Sequence, residues 1–135
     1  MTQGMTKPCP CGRLGAKKQA LTYVSCCGQY LDAKLAAPDA ESLMRSRYSA
    51  FVLENDGYLL STWHASKCPV TLDFEPNAKW LGLQVHNHTV VDAIHAEVTF
   101  VARQRDRTGR AIRLHERSRF VCENGYWYYV DGDSL

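Results

Sequence analysis

The sequence predicts an α+β fold, with helices packed on a curved antiparallel sheet and a small cysteine-rich module in front of them. Three observations predict it. A helical period runs through one stretch of the first half, a period of two runs through the second half, and four of the six cysteines lie ahead of both. Helices followed by a run of strands make an α+β layer, in which the helices cover one face of one sheet.

The elements follow in order. Residues 1–31 are rich in Cys and Gly and have no long apolar period, so this segment cannot order itself by burying a core. Pro38-Asp39 is a helix-start signal, and Asn55-Asp56-Gly57 is a stop. Between them Ala40, Leu43, Met44, Tyr48, Phe51 and Val52 share one face, which predicts a helix over 39–55. A shorter helix over 58–64 turns Tyr58, Leu59, Thr62 and Trp63 inward. Residues 65–79 form a loop, marked by Pro69, Pro76 and Asn77. Leu81, Leu83 and Val85 then alternate as a strand. Ile94, Ala96, Val98, Phe100 and Ala102 line one face of the next. The tetrad 106–109 is a turn. Ile112, Leu114 and Phe120 face inward from a third strand. Asn124-Gly125 is a two-residue hairpin signal ahead of a last strand over 126–131. A sheet of such long strands twists and curls, and a helix across its concave side leaves a pocket.

Composition bounds the function classes. The chain has 135 residues, enough for one domain plus an appendage at 1–31, with the main domain at 38–135. Sixteen basic residues against fourteen acidic ones give a formal net charge of +2, which calls for neither nucleic acid nor an anionic membrane. Residues 1–7 are polar, with no apolar leader segment, and no run is long enough to cross a bilayer, so the cytoplasm is the expected location. In that reducing compartment clustered cysteines point to metal rather than disulfides. Cys68 and Cys122 stand apart and are expected as half-buried small apolar residues.

The cysteine spacing carries the chemistry. Cys9-Pro-Cys11 is followed by fourteen residues and then Cys26-Cys27-Gly28. Four thiolates suit Zn²⁺, and iron also accepts them. With Cys9, Cys11, Cys26 and Cys27 all ligating, no coordination position stays open, so the metal is expected to be structural. The rival reading is a redox dithiol, but its usual C-x-x-C spacing is absent. Lys17 and Lys18 in the intervening loop offset the negative charge of the site.

The segments CPCG and CCGQYL resemble the SEC-C motif, the metal-binding tail known from the SecA translocase ATPase. LMRSRYSAFV, YLLSTWH, WLGLQV, HERSRF and GYWYYVDG, in that order, resemble the YchJ family of bacterial proteins. The likeness runs from Cys9 to Gly132. It implies a SEC-C zinc knuckle followed by an NTF2-like (cystatin-like) domain. It also implies a docking role for the knuckle toward a chaperone, the translocation machinery or the ribosome. The chain departs from the motif where Arg13-Leu14 stands in place of Ser-Gly and where the loop to the cysteine pair is longer.

One strand is unusual. Alternation puts Glu116 and Ser118 on the side of Ile112, Leu114 and Phe120, and a buried carboxylate needs a partner. Arg47 lies within the apolar face of the long helix, so an Arg47–Glu116 pair is expected. Tyr48, Trp63, His64, Trp127 and Tyr129 are candidates to line the same space. The alternative function is accordingly a small-molecule binder or an enzyme using this pocket. His86 and His88 are expected on one strand face, with His95 and His115 facing solvent. Arg103, Arg105, Arg107, Arg110 and Arg113 form a basic hairpin, read as a solvated tip because aromatic residues for base stacking are missing from it.

Overall fold

A computed structural model describes residues 7–135. Its elements are α1 (Gly28–Leu31), α2 (Ala40–Val52), α3 (Asp56–Ser61), β1 (Lys79–Val90), β2 (His95–Arg105), β3 (Ala111–Glu123) and β4 (Tyr126–Ser134). The strands form one antiparallel meander in the order β1-β2-β3-β4. No helix among the described residues is long and apolar enough to cross a membrane.

Local chemistry sets the helix bounds. The Asp39 carboxylate accepts from Ser42 N–H at 2.7 Å and caps α2. Glu54 turns into the left-handed region at φ 55°, which ends the helix before residue 55. The Asn55 side chain then accepts from Tyr58 N–H and starts α3. After α3 the chain pairs with the edge of β4: His64 N–H donates to Tyr129 O, and Tyr129 N–H donates to Thr62 O.

Two bulges in β1 correct the alternation read from the sequence. Register shifts at Trp80/Gly82 and Val85/Asn87 insert extra residues. The first leaves Leu81 half exposed and turns Trp80 onto Tyr48 and Phe51 of α2. The second separates the two histidines expected on one face. His86 meets His115 edge-to-face across the sheet, while the His88 imidazole lies 3.8 Å from Glu41 on α2. Ile94 precedes β2 and is 47% exposed, and Leu114 is 43% exposed at the rim, so neither belongs to the core. Ala96, Val98 and Phe120 do. Asn124 and Gly125 both have positive φ, 54° and 82°, as the tight β3–β4 turn requires.

The core is continuous from the cysteine cluster to the sheet. Cys9, Cys11, Cys26 and Cys27 pack in the same cluster as Leu43, Tyr48, Val98 and Phe120. Helix α2 is therefore buried on nearly every side. Its apolar face meets the sheet, and its serines face the knuckle and α3: Arg13 donates to Ser42 at 2.8 Å, Cys9 Sγ lies 3.6 Å from Ser49 Oγ, and Ser46 bonds Tyr58 OH.

Candidate metal centre and sheet cavity

The four sulfurs come together because a short ribbon carries them. Cys9 N–H donates to Leu21 O and Tyr23 N–H donates to Lys7 O, while bridges at Pro8/Thr22 and Leu14/Ala20 run down the loop. The residues that lengthen this loop form the far end of that ribbon, turning at Lys18 with φ 61°. They leave the ligands in place. Gly12, at φ 74°, supplies the turn after Cys11. Gly28 is required for another reason: a Cβ there would stand 2.8 Å from Tyr23 O.

All four cysteines are buried, and their Sγ atoms lie within 4.8 Å of one another. Cys11 Sγ and Cys26 Sγ are 3.6 Å apart. A tetrahedral site with Zn–S bonds of about 2.3 Å needs sulfur separations of about 3.8 Å, so the donor set fits a tetrahedral thiophilic ion. Proton chemistry agrees. Hydrogen bonds from Cys11, Cys26 and Cys27 hold the Cys9 thiol far below its usual range. Hydrogen bonds from Cys26 and Cys27 bring Cys11 to about 7. The same contacts, led by Cys11, together with burial, push Cys26 and Cys27 up. The shared hydrogen bonds thus split the four thiols, lowering Cys9 and Cys11 and raising Cys26 and Cys27. Lys17 and Lys18 are exposed on the ribbon. Arg45, which donates to Cys11 O at 3.0 Å, is the cation bonded to the knuckle backbone.

A second feature lies between α2 and the concave face of the sheet. It is a cavity of about 370 Å³ lined by Arg47, Tyr48, Trp63, Glu116, Ser118 and Tyr129 among others. His64 and Trp127 lie elsewhere. His64 Nε2 is 2.8 Å from Glu123 Oε2 and Nδ1 is 2.7 Å from Ser66 Oγ, outside the cavity. Trp127 lines a neighbouring groove with Tyr30, Leu43 and Tyr58. Phe51, Trp80 and Phe100 also line the cavity, beyond the residues that alternation points to. Trp80 reaches it only through the β1 bulge, which leaves no mark in a two-residue period.

The expected Arg47–Glu116 pair does not form. Arg47 Nη1 donates to Leu59 O at 2.7 Å and to Thr62 Oγ1 at 2.8 Å. Its guanidinium lies over the rings of Trp63 and Tyr129, at 5.1 Å and 4.7 Å. Glu116 instead accepts from Ser118 Oγ and, at 3.2 Å, from Tyr129 OH. Tyr129 therefore stands between the two charges, its ring on the cation and its hydroxyl on the carboxylate. Burial lowers Arg47 to about 10, which leaves it charged at neutral pH. Burial, followed by the Glu116 carboxylate, raises Tyr129 and keeps its hydroxyl a donor.

Comparison with known proteins matches this geometry. Residues 39–132 match the family model described as YchJ, middle NTF2-like domain. A UPF0225 protein of Polaromonas sp. (strain JS666) is 63% identical over 128 residues, covering 93% of this chain and 92% of that protein. A UPF0225 protein of Bordetella pertussis is 56% identical over 130 residues, covering 93% and 91%. The solution structure of a SEC-C motif containing protein from Rhodopseudomonas palustris superposes with a TM-score of 0.80 at 30% identity, covering 96% of this chain and 99% of that one. The crystal structure of a SEC-C motif containing protein from Psychrobacter arcticus gives 0.78 at 32% identity, covering 95% and 82%.

Proposed function

We propose, for a chain that belongs to the YchJ family, an accessory role without catalysis: one structural zinc ion in the four-cysteine cage, and a knuckle that docks on a protein or ribosomal partner. The observation that carries the zinc assignment is the set of four buried sulfurs within 4.8 Å of one another. With four protein ligands the ion has no open position, so its contribution is to the fold. The docking half rests on the likeness to the SEC-C motif and on what the ribbon exposes. Its far end carries Lys17 and Lys18, with Leu14 55% exposed beside them, and none of these side chains is needed to hold the cage.

The test has two parts. Elemental analysis of the purified protein should give about one equivalent of zinc, and a Cys26→Ser/Cys27→Ser variant should give none. A Lys17→Glu/Lys18→Glu variant should keep its zinc but lose retention on purified ribosomes or on an export chaperone. Absence of zinc from the wild type removes the first half. Equal retention of wild type and charge-reversed protein, or retention of neither, removes the second.

The cavity favours a second reading. A space of about 370 Å³ with a buried cation and a carboxylate on its wall has the size and the convergent polar groups of a small-molecule site.

A further inference from the structure

The sheet cavity holds an imbalance that the fold leaves uncorrected. Arg47 is only 6% exposed and carries a full charge, yet no carboxylate among the described residues lies within 4 Å of it. Only Nη1 has protein acceptors, so Nε and Nη2 donate to none among the described residues. A buried guanidinium stabilised by two neutral oxygens and two aromatic faces is held in place, but its charge is not neutralised. A residue serving only to fix α2 on α3 would be matched by an internal carboxylate or replaced by an apolar side chain, since unmatched buried charge is costly.

The walls define what would match it. Phe51, Trp80 and Phe100 form an apolar, aromatic lining. Glu116 lines the same cavity, separated from Arg47 by Tyr129. Its Oε2 is occupied by Ser118 and Tyr129, and Oε1 has no protein donor among the described residues. A cation with spare donors, a carboxylate oxygen without a donor and aromatic walls together select an anion, a hydrogen-bond donor and an aromatic body.

We infer that the cavity is a binding site for a small aromatic carboxylic acid, with its carboxylate on Arg47, its ring against the aromatic lining, and a hydroxyl or amino donor on Glu116. The inference rests on the second reading above, that the cavity binds a small molecule, and it is independent of the zinc assignment. Gly132 leaves room for the Glu116 carboxylate, which a Cβ there would push aside.

The test uses the full, zinc-loaded chain labelled with ¹⁵N. It follows the three tryptophan indole N–H signals, of which Trp63 and Trp80 line the cavity and Trp127 does not. The probes are a panel of aryl carboxylates, each beside its neutral amide, with 4-hydroxyphenylacetate, 4-hydroxyphenylacetamide and phenylacetate as the lead trio. The hydroxy acid should shift Trp63 and Trp80 and leave Trp127 in place. Its amide should bind roughly ten- to a hundredfold more weakly, as expected when a charged hydrogen bond becomes a neutral one. Phenylacetate should fall between them. Leu114→Trp, at the exposed rim and away from Arg47, should fill the entrance and abolish the shifts while preserving the fold. If acids and amides bind equally, the ligand class is wrong although the cavity binds. If no probe moves Trp63 or Trp80, or if Leu114→Trp leaves the shifts intact, the cavity is not the site and the second reading falls with the inference.

Discussion

Arg47 shows most clearly how a residue's role follows from its surroundings. Its position on the apolar face of a helix was legible from angular spacing, and so was its need for partners. The partners were not, because they come from the carbonyl of Leu59, the hydroxyl of Thr62 and the faces of Trp63 and Tyr129. Replacing Arg47 by Met should cost about 2–4 kcal/mol in a urea melt, since the Leu59 carbonyl and the two aromatic faces lose their partner together. Gly132 is the complementary case. Gly132→Ala should displace the Glu116 carboxylate from Ser118 and Tyr129 and cost about 1–2 kcal/mol, measured the same way. In a Glu116→Ala background the same glycine substitution should cost close to nothing, so the two changes should not add, because the colliding group is then gone.

Elements were read well where a single side chain decides them. Asp39 caps α2 through Ser42 N–H, and Asp39→Ala should lower stability by about 1 kcal/mol with the fold intact, as read by thermal unfolding. The β3–β4 ribbon is fastened on its outer side by Arg119 to Asp131 at 2.6 Å and to Asp133 at 2.7 Å, with Arg117 also on Asp133. The Arg119 and Arg117 guanidiniums hold the Asp133 carboxyl below the usual carboxylate range. A folded-state value lower than the unfolded one means the contribution is present above the ordinary carboxylate pKa and is lost as pH falls through the lowered one. Acid titration of unfolding should therefore show a small loss below the usual carboxylate range that Asp133→Asn removes. The group is exposed, so added salt should shrink the effect. Strand β1 was read less well. Two bulges break its alternation, and a bulge is a backbone event driven by how the strand must bend over α2, which side-chain periodicity does not encode.

At the scale of the molecule, the cysteine cage and the main domain share one core. Arg13 reaches Ser42, Arg45 reaches the Cys11 carbonyl, and Cys9 packs on Ser49. Metal removal is consequently expected to act beyond the knuckle. With zinc in the cage as proposed, treatment with a strong chelator should lower the unfolding free energy of the whole chain, by roughly 10 kcal/mol. Amide exchange along α2, from Ser42 to Ser49, should accelerate as well. If only residues before Gly28 lost protection, the knuckle would be energetically separate from α2.

The order of elements, the four-cysteine cluster and the family likeness, which the match over residues 39–132 bears out, are legible in the chain alone. These depend on local signals: caps, turn residues, periodicity and ligand spacing. Packing, in contrast, separates Arg47 from Glu116 by Tyr129, keeps His64 and Trp127 outside the cavity and brings Trp80 into it. The physical reason is the same in each case. A side chain's face is set by its own strand or helix, but its neighbour is set by bulges, by the curl of the sheet and by which aromatic ring fills the space first. Those are properties of the packed whole.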